Sequence, residues 1–203
     1  GQAKGPVNLY INKSADGGKT WTSTLMDVSG SPPDCSAYLC GWAFLGAQIT
    51  MASDSAGTLC ALWNAGTVDK GPEHIYFSKS SDGGKSWLAK KDVSAAGSTA
   101  SHAFPSIVAG AAGDVRIAWM DTRTGSNWNT IYRSSTDGGA TWASESFLSK
   151  NVAGYSYIFP DGFNFPFGDY FQMSIDGQGI THAVWGEGLN YKTPGSIWYN
   201  RGN

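Results

Sequence analysis

Asp121 and Arg123 are the best-placed polar pair for chemistry in this chain. The planar fork of an arginine suits a ligand carboxylate, which it holds by two parallel N–H···O bonds. The same spacing also suits an internal pair that fixes its own loop. Trp128 lies in the same segment, Asp121-Thr122-Arg123-Thr124-Gly125-Ser126-Asn127-Trp128. A second group, Asp169 and Tyr170, closes an aromatic run that begins at Tyr155 and includes Tyr157, Phe159, Phe163, Phe165 and Phe167. Aromatic plates beside Asp and Asn fit the apolar faces and hydroxyls of a sugar. They also fit a lid over a seam or a contact with a protein partner. Glu187 and Tyr191 share a third segment, and Asp69-Lys70-Gly71-Pro72-Glu73-His74 forms a fourth. His182 reads as a structural strand residue, and His74 and His102 as loop-edge residues with no nucleophile that spacing identifies. There is no Gly-x-Ser-x-Gly elbow, phosphate loop or zinc-type Cys/His spacing, so neither a cofactor nor a metal is expected.

The elements that must position these residues announce themselves by repetition. Ser14-Ala15-Asp16-Gly17-Gly18-Lys19-Thr20-Trp21 recurs as Ser80-Ser81-Asp82-Gly83-Gly84-Lys85-Ser86-Trp87 and as Ser135-Thr136-Asp137-Gly138-Gly139-Ala140-Thr141-Trp142. Paired glycines supply positive φ without a Cβ clash. The Asp carboxylate accepts from backbone N–H groups within the turn, and the closing Trp offers a plate to wedge beneath the hairpin. The phrase is therefore structural in expectation, centred on Asp16, Trp21, Asp82, Trp87, Asp137 and Trp142. A calcium loop would need more oxygen ligands at fixed spacing.

Two further columns recur. Leu9-Tyr10, Ile75-Tyr76, Ile131-Tyr132 and Ile197-Trp198 are apolar–aromatic pairs, and Gly57…Trp63, Gly113…Trp119 and Gly179…Trp185 follow hairpin-like turns. Each unit then reads as strand, tight turn, strand, variable loop, strand, Asp-Gly-Gly turn, strand: an antiparallel four-stranded meander. Such meanders alternate their connections between two ends, which places the Asp-Gly-Gly turns at one end and the variable segments at the other, where binding usually sits.

This phrase resembles the Asp box, or bacterial neuraminidase repeat, of sialidases and related β-propellers, and the resemblance covers nearly the whole chain. It implies an all-β fold, an Asp-box β-propeller of four-stranded antiparallel blades. About three and a half blades lie in this chain, as a partial ring of a six- or seven-bladed propeller. Residues 5–28 would be half a blade, 47–94 and 103–150 one blade each, 167–203 a three-stranded blade, and 151–166 an aromatic inter-blade loop. The rest of the ring would come from a missing half or a second copy of the chain. The resemblance also implies a site opposite the Asp boxes. Sialidases clamp the substrate carboxylate with three arginines, and use a Tyr activated by a Glu as nucleophile and an Asp as acid/base. Onto that pattern Arg123 carries over as a candidate clamp, and Glu187 with Tyr170 or Tyr191 as the candidate nucleophile pair. Asp121, Arg123, Trp128, Asp169, Tyr170 and Glu187 are the ligand-binding candidates.

The chain departs from the sialidase pattern. It has no Arg-Ile-Pro, and of its four arginines Arg116, Arg133 and Arg201 fall toward the Asp-box end. The expectation is a secreted sialidase-like propeller that binds a carbohydrate or protein ligand without complete catalytic machinery in this chain. The alternatives are an exo-sialidase or other glycoside hydrolase completed by a missing N-terminal half, and a structural assembly protein.

Bulk properties agree with many short strands. The 203 residues include 27 Gly and nine Trp, and only 15% are charged. A net charge of −2 gives no reason to expect nucleic acid, and no apolar run is long enough for a membrane-spanning helix. Cys35 and Cys40 lie in one short loop; a bridge there would mean an extracellular or other oxidising compartment, the alternative being two free thiols. Cys60 reads as a small buried hydrophobe.

Overall fold

The computed structural model describes residues 6–33, 46–94, 99–123, 129–148, 171–187 and 196–202. The described residues contain strands and no helix, and so no helix long and apolar enough to cross a membrane. The strands are β1 (Val7–Lys13), β2 (Thr22–Ser29), β3 (Ile49–Ser53), β4 (Leu59–Gly66), β5 (Glu73–Ser80), β6 (Lys91–Asp92), β7 (His102–Ala109), β8 (Val115–Asp121), β9 (Asn129–Ser135), β10 (Ser146–Phe147), β11 (Phe171–Ile175), β12 (Thr181–Glu187) and β13 (Ser196–Gly202). They form four antiparallel sheets, ordered β1-β2, β3-β4-β5-β6, β7-β8-β9-β10 and β11-β12-β13. The meander and the all-β class expected from the repeat are what the chain forms.

Burial explains the order within each sheet. β4 and β8 are buried along nearly their whole length because both of their faces are covered. Cys60 and Leu62 pack with Val115, Ile117 and Trp119 in the seam between second and third sheets. Ala61, Trp63 and Ala65, pointing the other way, pack with Leu9 and Tyr76 in the seam between first and second. Ala118 and Met120 meet Met173, Ala183 and Trp185 in the seam between third and fourth. Trp63, Trp119 and Trp185 are each fully buried. At about 25 cal/mol per Å² and roughly 200 Å² apiece, each contributes at most roughly 5 kcal/mol of hydrophobic stabilisation.

The Asp-box turns hold themselves together locally. Asp82 Oδ1 accepts from the backbone N–H groups of Lys85 and Ser86, and Oδ2 accepts from the Ser86 hydroxyl at 2.6 Å. The Ser80 hydroxyl donates to Asp82 and accepts from Gly84 N. Asp16 and Asp137 repeat the pattern with Thr20 and Thr141. Gly83 and Gly84 take φ of +71° and +81°, values that side chains with a Cβ rarely adopt.

The structure departs from the sequence reading in two details. Trp87 and Trp142 pack into the seam on the side of the preceding sheet, Trp142 edge-on to Phe77 with ring centroids 5.2 Å apart. Trp21 is instead 62% exposed, its indole donating only to Gly18 O, because no described sheet precedes its own. The apolar–aromatic column is also out of register in the third sheet. Trp63 pairs with Tyr76 and Trp185 with Trp198, but Trp119 pairs with Ile131 rather than Tyr132. The hydrogen-bond ladder sets this register, counted back from the box serine, whereas the dipeptide pattern alone allowed a slip of one.

Candidate functional site

Hydrogen bonds among the turns and loops, within and between sheets, define two ends. At one, Gly113 N donates to Asp54 Oδ2, Gly138 N to Gly113 O, and Arg116 reaches Gly179 O, so the Asp-box and hairpin turns meet there. The Gly113 N–H, followed by burial acting in the opposite sense, leaves the Asp54 carboxyl below its ordinary range. At the opposite end the connections are longer. Gly30 N donates to Gly66 O, Ser31 donates to Asp69 through both its N–H and its hydroxyl, and Thr122 N donates to Ser101 O. Asp121, Arg123, Glu73, His102 and the last residue of β12, Glu187, all belong to this second end.

Asp121 and Arg123 do come together, but they face each other. Arg123 Nε and Nη2 donate to the fully buried Asp121 carboxylate at 2.6–2.9 Å, and Nη1 donates to Glu145. Asp121 also accepts from Trp119 Nε1 at 3.0 Å and from its loop's own Arg123 N. Burial alone would lower the guanidinium pKa. The bonds to Asp121 and Glu145, with their two charges, outweigh that and hold it above the usual arginine value. The Arg123 fork is thus closed by two carboxylates of its own chain, a structural triple of the kind that fixes a loop.

A buried polar cluster lies beside it. Glu73 is 1% exposed, and Asn64 Nδ2 donates to its Oε2 at 2.5 Å while Oε1 has no partner. Burial raises this carboxyl to about 8, with the Asn64 bond only partly opposing. Burial thus favours the protonated, neutral form of Glu73. Its backbone carbonyl, 2.7 Å from His102 Nδ1, is purely an acceptor, so Nδ1 carries a proton. His102 Nε2 then stands 3.6 Å from Asp121 Oδ2, too far for a hydrogen bond and without another partner. Burial lowers the His102 pKa below the ordinary imidazole value, against the pull of Asp121. His74 stacks on His102 at 5.7 Å, and its Nδ1 sits 2.9 Å from Asp92 Oδ2 but outside hydrogen-bonding direction. Phe104, in the β7 bulge next to this cluster, holds φ of +56°, a strained value for a bulky residue.

No family model and no curated protein matches the chain. Solved structures do. An α-L-arabinanase of Penicillium chrysogenum complexed with arabinobiose superposes with a TM-score of 0.56 at 17% identity, over 96% of this chain and 54% of that one. An α-L-arabinofuranosidase of Fusarium graminearum with arabinobiose gives 0.55 at 14% identity, over 96% and 54%. A Hadza microbial sialidase gives 0.51 at 10% identity, over 82% and 40%. The chain has the sialidase-like β-propeller fold. It spans about half the length of the arabinanase and arabinofuranosidase structures that it matches.

Within this propeller the candidates separate. Asp121 and Arg123 meet in the triple just described. Glu187 ends β12 opposite Ser196, at the same end. Trp128, Asp169, Tyr170 and Tyr191 lie outside the described residues, as do Cys35, Cys40 and the aromatic run. The box aspartates and tryptophans lie at the far end. Cys60 is fully buried, burial raising its thiol to about 11. Sequence reading left out Asn64 and Glu145. It placed Glu73 only within a variable segment, though the lone carboxylate opening an apolar strand, Glu73-His74-Ile75-Tyr76-Phe77, was a usable signal of a buried acid.

Proposed function

We propose that this propeller recognises a neutral glycan, at the end opposite the Asp boxes. The observation that carries the reading is the closed Arg123–Asp121–Glu145 triple. Arg116 is likewise held by Asp114 and Thr181, and Arg133 by the carbonyls of Val93, Trp142 and Ala143, both away from that end. A sialic-acid carboxylate would find no open arginine fork among the described residues of the ligand end. Uncharged furanosides such as arabinobiose, bound by two of the similar structures, need hydroxyl-matching acceptors and an apolar plate rather than a cation. An extracellular setting belongs to the same proposal and is supported by the spacing of Cys35 and Cys40.

Titration calorimetry of the chain with arabino-oligosaccharides and with sialyllactose tests this. Binding of the neutral sugars alone is expected. Preference for sialyllactose, or no binding of either, overturns the proposal. A second reading, hydrolysis of furanosides, is supported by the position of Glu187 at the end of β12. Release of reducing sugar that Glu187→Gln abolishes without loss of binding would establish it.

A further inference from the structure

All three internal seams follow one rule. The face of a sheet toward its predecessor carries the second-strand Trp, and in the second and third sheets the box Trp packs there too. The face toward its successor carries a smaller apolar set, which is Cys60, Leu62 and Phe77 in the second sheet and Ala118, Met120 and Tyr132 in the third. In the seams these side chains are buried or packed against the core.

The same positions of the last sheet are uncovered. Val184 is 43% exposed, Tyr199 57% and Ile197 78%. Val184 and Ile197, with Gln172, Ser174 and His182, line a trough of about 430 Å³. Both nitrogens of His182 are already engaged, by Tyr199 Oη at 2.8 Å and Asp176 Oδ2 at 3.0 Å.

The first sheet shows the complementary face. Leu9 and Ile11 pack toward the second sheet, so Tyr10 and its ladder partner Leu25 turn away, with Val28 beside them, each about half exposed. Trp21 is exposed where its equivalents Trp87 and Trp142 are packed. The apolar residues named on the two faces are not interrupted by a lysine or carboxylate, and the charge on the last sheet's face, Arg201, lies at its margin opposite His182. Cores of protein interfaces show the same depletion of charge, and free surfaces do not.

We propose that two copies of this chain associate head to tail, the open face of the last sheet of one seated on the open face of the first sheet of the other. The contact continues a seam that the molecule already builds between its own sheets. It goes beyond the glycan reading and does not depend on it. The two surfaces differ, so the contact is heterologous and either closes as a ring or runs on.

Sedimentation velocity of the full chain tests the proposal, with Ile197→Lys on one face and Tyr10→Lys on the other. Both positions are exposed, and thermal melts check that each variant folds. The wild-type chain is expected to self-associate with concentration. Each substitution alone is expected to raise the apparent dissociation constant at least tenfold. Mixing the two variants is expected to restore a 1:1 complex, because Tyr10→Lys keeps an intact last sheet and Ile197→Lys an intact first sheet. A wild-type chain monomeric at 100 µM overturns the proposal. So does association that neither substitution weakens, or a mixture that forms no complex.

Discussion

Asn64 donates its side-chain amide to Glu73 in the interior of the second sheet, and the second oxygen of that carboxyl is left without a partner. The pair contributes one limb of the response to pH. Glu73 titrates near 8 when folded, against an ordinary 4.5. Between those values the folded chain keeps a proton that the unfolded chain has released. Stability therefore falls as pH rises from about 4.5 to about 8, by at most about 1.4 kcal/mol per pH unit. Glu73→Gln keeps the shape and removes the titration. Urea unfolding at pH 5 and pH 8 should show a smaller drop for the variant; parallel profiles would sink the assignment.

The acid limb belongs to the boxes. The Thr20 hydroxyl and N–H, ahead of Ser14, hold Asp16 down to about 2, and the Ser86 and Thr141 hydroxyls hold Asp82 and Asp137 lower still. These depressed groups contribute stability that is present above pH 4 and is lost as pH falls toward 2 and below. Asp137→Ala should lower stability at pH 7, since it strips acceptors from Thr141 and Ser135. The loss should shrink as pH falls toward 2 and below, and glycan affinity should be unchanged.

Arg123 separates a structural role from a ligand role. Arg123→Ala leaves the fully buried Asp121 carboxylate without its cation, a change that costs about 3–5 kcal/mol. A fall in melting temperature is expected, with the ranking of neutral over acidic sugars unaltered. A variant of normal stability that selectively loses acidic ligands would mean that the fork serves a ligand after all.

Gly17, the first glycine of its box, and Gly139, the second glycine of its own, sit in different surroundings. Both turns need positive φ, but a Cβ at Gly17 meets nothing within 4 Å, whereas at Gly139 it would lie 2.3 Å from the Phe77 ring. Gly17→Ala should cost about 1 kcal/mol, the left-handed penalty alone. Gly139→Ala adds overpacking of about 1–3 kcal/mol. Equal losses in chemical denaturation would contradict the packing described for Phe77.

Legibility followed the range of the interactions. The boxes could be read because each aspartate bonds to residues three and four positions on, so residue order and geometry coincide. The strand order could be read for a similar reason: tight turns force neighbours in sequence to pair. The register of β9 could not, since Ile131-Tyr132 keeps the same dipeptide while the ladder shifts by one. Trp21 could not be told from Trp142 either, because their phrases match and only the presence of a preceding sheet divides them.

At the ligand end the balance reverses. Residue types and spacing put an aspartate and an arginine within reach of each other across Thr122, and left open whether the arginine would hold its own loop or a ligand. Only the tertiary structure decided that Glu145 would close the other side of that guanidinium and that Glu73 would be stripped of water beside His102. Desolvation and partner choice depend on which sheets lie on either side of a residue. That surrounding is assembled from distant parts of the chain, and no local pattern records it.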